Sequence, residues 1–409
     1  MLLADWGAEV IRLESITFFQ PQTRGYQPRP SKERVQSLKG WRDAYPDWDP
    51  GPRPWNRHPL FHSNARNKLS MTVDLRKPEG LEIYRRLARI SDVIVENNVP
   101  STVERLGVVD FQELRRENPG LILLRMPAFG TTGPYKNYRA LGMHMEAAVG
   151  HTWIRGYADT DPSMRGDVVV ADATAGLGAA LAVVMALRHR RRTGEGQLLE
   201  LATAENFIPF VSDAIMDYSM NRRVQGPLGN RHRWMAPHGC YPCRGDDAWL
   251  TIAVSDEQWR GLCRVMGDPA WCREERFTEG LARWRHQEEL DDRIAAWTRD
   301  QDATELMLRL QREGVPAGRV ADERQVMADP HLRARAFFET LEHVEAGTYD
   351  YPGTMWRIDG RRNHLRLPPP LLGEHNDYVY RELLGLTDQE YRHLEAEGHI
   401  GMDYVGPLE

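Results

Sequence analysis

The sequence predicts an α/β fold. A parallel sheet covered by helices occupies residues 1–225, a smaller α/β domain spans 226–330, and a tail runs over 331–409. Three observations predict it. Short Val/Ile/Leu runs alternate with helical stretches through the first half of the chain. Those runs are continuously apolar, as strands buried on both faces must be. Past residue 230 closely spaced amphipathic helices take over.

In order, Leu2–Trp6 read as the last turn of a helix closed by Gly7, and Ala8–Leu13 as a strand. Residues 15–60 carry eight prolines and three tryptophans without periodicity, so this long connection is expected to wrap the domain or meet a partner. Leu69–Leu75 is a strand, Pro78–Ile90 a helix with Pro in its first turn, and Asp92–Glu96 a strand. Helices near 101–106 and 110–117 precede the apolar strand Leu121–Met126. An Ala-rich helix over 173–187 leads to the strand Gln197–Ala202 and a helix over Ala204–Tyr218. In the smaller domain Ala248–Val254 is a strand, and Glu257–Met266, Leu290–Trp297 and Thr304–Glu313 are amphipathic helices. The tail holds the run Phe337–His343, prolines at 368–370, and helices at 377–384 and 388–397.

A chain of 409 residues with 41% hydrophobic and 27% charged residues has the composition of a soluble globular protein. Its net charge of −6 gives no reason to expect nucleic-acid binding, and an anionic ligand would need a local basic pocket. The 173–187 helix is too short and too rich in Ala and Gly to be expected in a membrane, and no basic n-region marks a signal peptide. Four cysteines fit a reducing cytoplasm. Cys240 and Cys243 form a lone C-x-x-C without a second pair at zinc spacing, since Cys263 and Cys272 lie further apart; all four are expected to be core or loop residues, with no metal.

The residue that points to chemistry is Asp172, after the apolar run Val168–Val170 and at the mouth of the Ala-rich helix. Unpaired N–H groups and the positive end of the helix dipole hold a carboxylate there ionised and able to attack a carbonyl carbon. Its plain reading is an N-cap aspartate. Gly176 and Gly178 mimic a dinucleotide fingerprint, but Leu181 stands where the third small residue belongs. These glycines are expected to permit close packing.

Seven segments in register give Asp172 a context: Met1–Glu14, Asn64–Gly80, Ser91–Asn98, Gly130–Tyr135, the Asp172 helix, Gly229–His232 with Ala236–Pro237, and Leu372–Asn376. Together they resemble the family III CoA-transferases, the group with formyl-CoA and carnitine-type transferases. The resemblance implies a Rossmann-like large domain, a tail that returns to it, and two chains interlocked as linked rings in a homodimer. It also implies that one strand and most of a helix of the large domain precede Met1.

The resemblance makes Asp172 the covalent nucleophile. Coenzyme A is then a co-substrate beside an acyl donor and a carboxylic acid, with no permanently bound cofactor. Positions matching the family's CoA contacts are Asp74, Leu75, Arg76, Asn97, Asn98, Arg105 and Arg139; an arginine expected after Glu14 is Ser15 here. Gly229, Asn230, His232, Pro237 and Gly239 belong to a loop that covers the reacting centre in relatives, with Arg233 and Trp234 departing from the usual residues. The same fold hosts α-methylacyl-CoA racemases, the alternative reading, alongside an inactive CoA-binding fragment. A racemase needs two opposed acid/base groups, one of them a histidine directly after Gly142. Met143 stands there, and His144 is one residue late, so it is read as pocket lining or structural. Asp256, near the racemase's supporting acid, is read as a helix cap, and Asn376 as an N-cap or packing residue.

Overall fold

The computed structural model describes residues 1–40, 43–108, 110–165 and 170–406. The chain divides into two compact units. The first comprises 1–145, 169–209 and 330–409; the second comprises 146–168 and 210–329. Residues 146–165 and 210–225, read from sequence as part of the large domain, belong to the second unit. Trp153 Nε1 donates to the Gln225 carbonyl at 2.9 Å, and Gly229 N to the Gly156 carbonyl at 2.8 Å.

In the first unit β1 (Ile11–Glu14) pairs parallel with β2 (Leu69–Thr72). β3 (Val93–Glu96), β4 (Ile122–Arg125) and β5 (Leu198–Glu200) form a second parallel ladder. Among the described residues these are two separate hydrogen-bonded sheets rather than the single expected one. β2 is buried throughout and β4 nearly so, which is why their sequences carry no alternation. The helix Pro78–Ile90 forms where expected, with Pro at its start. It buries Ile83, Tyr84, Leu87 and Ala88 at helical spacing, between the Met71–Val73 end of β2 and Leu114–Leu121. Gly80 in its first turn is required, because a Cβ there would overlap the Asp74 carbonyl.

The Asp172 helix is longer than its sequence suggested. It spans Ala171–Thr193 and stops at Gly194, whose φ of 81° closes the last turn. At 23 residues it is long and apolar enough to cross a membrane by length and composition, which corrects the expectation from sequence. Its small residues Ala175, Ala179, Val183 and Ala186 are buried, with Ala179 and Val183 against Leu124 of β4. A Cβ at Gly178 would overlap the Asn206 side chain, so that glycine serves close packing; Gly176 faces open space. The helix expected over 204–218 is interrupted. Thr203–Phe207 passes into a 3₁₀ turn at Ile208–Val211 and restarts as Ser212–Asn221, because Pro209 cannot continue an α-helix.

The 15–60 connection is stitched into the first unit. Arg24, fully buried, donates from Nε and Nη2 to Glu14 at 2.7 and 2.8 Å and from Nη1 to Asn56 Oδ1 at 3.0 Å. Its guanidinium lies 3.9 Å from the Phe61 ring centroid. Burial alone would push the Glu14 carboxyl up, but Arg24 and Arg12 outweigh it and hold it down at about 2. The tail returns to β2. Asn376 Oδ1 accepts from Thr72 N at 2.8 Å, so Asn376 clasps a strand rather than capping a helix, and the element after it is a π-helix, Tyr378–Leu383.

The second unit carries an antiparallel sheet of β6 (His238–Pro242), β7 (Trp249–Ala253) and β8 (Ala317–Arg319). Helices Asp256–Val265, Gln287–Thr298 and Ala303–Arg312 cover it over one apolar core, to which Cys243, Cys263 and Cys272 belong. All four cysteines are free thiols. Ser255 rather than Asp256 caps the first of these helices, in a capping box with Gln258. Back in the first unit, β9 (Phe338–His343) and β10 (Gly347–Pro352) form a hairpin.

His62, also in the first unit, donates from Nε2 to the Asn56 carbonyl (2.8 Å) and accepts from Tyr351 Oη at Nδ1 (2.6 Å); burial pushes its imidazole down to about 4. Because the unfolded chain takes up a proton near 6.5 and the folded one near 4, stability should be lost as pH falls through this window. His62 alone is expected to remove on the order of 2 kcal/mol between pH 7 and pH 5. In His62→Gln the fall in thermal midpoint over that range should shrink; an unchanged pH profile would show that His62 is not the sensor.

Candidate functional site

In the first unit Asp172 is the second residue of its helix and is exposed, while Ala171, Thr174 and Ala175 beside it are buried. The helix turns its small residues inward and this carboxylate outward, at the end where first-turn N–H groups have no partner within the helix. Val170, with φ −93° and ψ −28°, occupies the capping position. The preceding Val168 and Val169 lie outside the described residues.

The candidate CoA positions fall just beyond the C-terminal ends of β2 and β3 and in the chain that follows. Asp74 is buried. Its Oδ1 accepts from Arg76 Nε at 2.9 Å and from Arg76 N at 3.0 Å, and its Oδ2 from Arg76 Nη2 at 2.8 Å and Thr17 Oγ1 at 3.0 Å. The Arg76 hydrogen bonds hold the Asp74 carboxyl far below the usual carboxylate range and push Arg76 up. Arg76 is nevertheless half exposed. Leu75 is half-buried between two apolar clusters. Asn97 and Asn98 are exposed, with Asn98 N donating to Glu96 at 2.8 Å; Arg105 is exposed on the helix Pro100–Leu106, and Arg139 is exposed in the loop between β4 and the helix Gly142–Ala148. Thr17 joins Asp74 and Arg76 in one cluster, and Ser15 lies 2.9 Å from Thr17 Oγ1. Sequence reasoning missed Thr17, whose only signal is its place two residues past Ser15.

In the second unit the loop that begins at Gly229 is pinned along its length. A Cβ on Gly229, where φ is 61°, would run into the Tyr157 ring, and Asn230 Nδ2 donates to Tyr157 Oη at 2.8 Å. Arg231 pairs with Asp291 at 3.2 Å, and Tyr241 Oη donates to the same carboxylate at 2.7 Å. The His232 carbonyl accepts from Trp284 Nε1 at 3.1 Å. Its ring stands edge-on to exposed Trp234, and burial lowers its pKa. Arg233 is held by Asp213 and Gln225. The Ala236 carbonyl accepts from Arg283 Nε at 2.8 Å, and the Pro237 carbonyl from Val254 N at 2.9 Å. Gly239 is not in the loop: it pairs with Ile252 in the sheet, and Tyr241 leaves no room for a side chain. Trp234, Met235, Ala236 and Arg283 line a cavity of about 400 Å³ together with Ser255 and Asp256.

His144 Nδ1 accepts from Leu141 N at 3.1 Å, which ties this ring nitrogen to the start of the helix Gly142–Ala148. Glu146, in the second unit, is buried and pairs with His151 and Arg155.

The profile of the family described as CoA-transferase family III matches residues 1–376. Among curated proteins, the chain is 33% identical to a succinyl-CoA–D-citramalate CoA-transferase of Chloroflexus aurantiacus, over 97% of this chain and 92% of that one. It is 31% identical to a succinate–glutarate CoA-transferase of Agrobacterium fabrum, over 93% and 90%. Among solved structures, it resembles a CaiB/BaiF family protein from Brucella suis with a TM-score of 0.76 and 28% identity, covering 93% of each chain. These relatives do not favour the racemase reading.

Arg283 generates a prediction of its own. Its side chain is 1% exposed and donates to the carbonyls of Ala236, Phe277 and Thr278, besides pairing with Asp256. Arg283→Met leaves these carbonyls without that donor and should lower the unfolding free energy in urea by about 2–5 kcal/mol. Asp256→Asn, at a side chain 71% exposed, should cost under about 1 kcal/mol. Equal losses would show that the carbonyl contacts carry no weight.

Proposed function

This chain belongs to CoA-transferase family III, and we propose that it moves CoA between an acyl-CoA and a carboxylic acid with Asp172 as the covalent nucleophile. The observation that carries the reading is an exposed carboxylate in the first turn of a 23-residue helix, at the position that the sequence resemblance makes catalytic. A carboxylate suits this exchange because the acceptor is itself a carboxylate, so each bond made resembles the bond broken. Asp172 attacks the thioester carbonyl and releases CoA thiolate, leaving a mixed anhydride. The thiolate attacks the aspartyl carbonyl, expels the donor acid and forms an aspartyl-CoA thioester. The acceptor carboxylate attacks that thioester, giving a new anhydride and thiolate, and the thiolate then takes the acceptor's acyl carbon. Asp172 is regenerated, and no external energy source enters.

Exposed Arg76, Arg105 and Arg139 would face the CoA phosphates, with Leu75, Asn97 and Asn98 contributing main-chain contacts and Asp74 fixing Arg76. The loop Gly229–His238, with Asn230, His232 and Pro237, is the candidate substrate loop that the resemblance implies, and its anchors at Asp291, Trp284 and Arg283 fix its course within the second unit. The related citramalate and glutarate enzymes point to dicarboxylic acids as substrates. We read the protein as a cytoplasmic homodimer. The Asp172 helix exposes Leu177, Leu181, Val184 and Met185, an apolar stripe that a second copy would cover.

Asp172→Ala should lower transfer by more than about 1000-fold. Hydroxylamine added during turnover should leave a hydroxamate at residue 172, detected by peptide mass spectrometry. Surviving activity with no modification there would sink the proposal. Leu181→Glu combined with Met185→Glu should shift the protein from dimer towards monomer in light scattering; an unaltered mass would place the interface elsewhere.

A further inference from the structure

We propose that His399, in the returning tail, is a positioning residue that holds the main chain of Asp74 so that Arg76 faces the CoA phosphates; this rests on the CoA reading of that edge. His399 is fully buried, and its Nδ1 accepts from Asp74 N at 3.2 Å. The Asp74 carboxylate in turn takes Arg76 N and Nε on Oδ1, and Arg76 Nη2 and Thr17 Oγ1 on Oδ2. One residue therefore links the tail to the arginine. Arg76 spends Nε and Nη2 on Asp74 and Thr17, while Nη1 holds no hydrogen bond among the described residues. A guanidinium fixed at one side and open at the other is aimed before its anion arrives.

Local structure delivers the ring to this place. The helix Asp388–Ala396 ends at Gly398, whose φ is 76°; Gly398 N donates to the Glu395 carbonyl at 3.0 Å and His399 N to the Leu394 carbonyl at 2.9 Å. Leu394 and Ile400 on either side join Met71 and Val73 in one apolar cluster, and Gly401 N donates to Thr72 Oγ1 at 3.1 Å. Gly80 leaves room for the ring, since a Cβ there would come 3.2 Å from His399 Cε1. Packing does not explain an imidazole at this point. A neutral ring that accepts at Nδ1 carries its proton on Nε2, and Nε2 is buried without a partner among the described residues. An apolar side chain would avoid that cost, so the acceptor for Asp74 N is what the histidine supplies. Burial and Lys77 lower its pKa, against Asp74, Glu79 and Glu397, so the accepting form is the one present at neutral pH.

The test is calorimetric titration of the full-length protein with CoA. His399→Leu should weaken binding about 5- to 30-fold near neutral pH. His399→Asn, whose Oδ1 takes the place of Nδ1 and does not titrate, should stay within about 2-fold of the parent. Arg76→Met should weaken binding about 10-fold or more, and adding His399→Leu to it should cost less than about 2-fold further, because both act through Asp74. Affinity should also fall more steeply with acid in the parent than in His399→Asn, since a protonated ring cannot accept from Asp74 N. With the folded pKa below 6.5, that loss comes as pH falls through the lowered value, and protonation of the CoA phosphates affects both proteins alike. If His399→Leu does not fold, the pH comparison of parent and His399→Asn decides. Four results would overturn the proposal: unchanged affinity in His399→Leu, equal losses in His399→Leu and His399→Asn (packing alone), losses that add to that of Arg76→Met, or the same pH curve for parent and His399→Asn. Unchanged affinity in Arg76→Met would instead remove the CoA reading of this edge, and so separates the two failures.

Discussion

The ion pair between Glu14 and Arg24 is the interaction on which the first unit depends. It lies where four stretches of chain meet. Glu14 ends β1 and accepts Ser70 Oγ of β2 at 2.6 Å, Arg24 brings in the proline-rich connection, and the Pro370 carbonyl of the tail takes two of its donors at 3.3 Å. Neither charge could be buried alone without a penalty of several kcal/mol. Hydrophobic contact would hold these segments near one another, but the guanidinium fork fixes their order and register. Three residues beyond Glu14, Thr17 meets Asp74 and Arg76, so the candidate phosphate-facing edge follows from the same junction.

The two units solve different problems. The first gathers charged and hydrogen-bonding side chains at strand ends, with exposed arginines and one outward carboxylate at a helix start. The second offers a scaffold in which a loop is tied down by Asp291, Trp284 and Arg283. A loop fixed in so many places takes its course from the sheet and helices that hold it.

Much of this was legible in the sequence where the signal is local. Pro78 marked a helix start, continuous apolar runs marked β2 and β4, and Gly178 marked a close contact of the Asp172 helix, whereas Gly176 faces open space. Pro209 should have been read as a break, and Ser255 as a better cap than Asp256, since a hydroxyl followed by Gln258 is a capping box. What stayed hidden was pairing over long separations. Asn376 with Thr72, Arg24 with Pro370 and Thr17 with Asp74 involve residues whose neighbours carry no periodicity. The burial of Glu146 beside His151 and Arg155 stayed hidden for a related reason, since each residue is common on surfaces.

The return of the tail to β2 sets an order of events during synthesis. Ser70, Thr72 and Asp74 take hydrogen bonds from or to His375, Asn376 and His399, more than 300 residues downstream. On the ribosome, β2 therefore emerges with one edge unsatisfied and stays so while the whole second unit is made. That unit, nearly contiguous in the chain, can close first. The first unit is left as the late step, and its strand is the segment that waits longest for its edge partners.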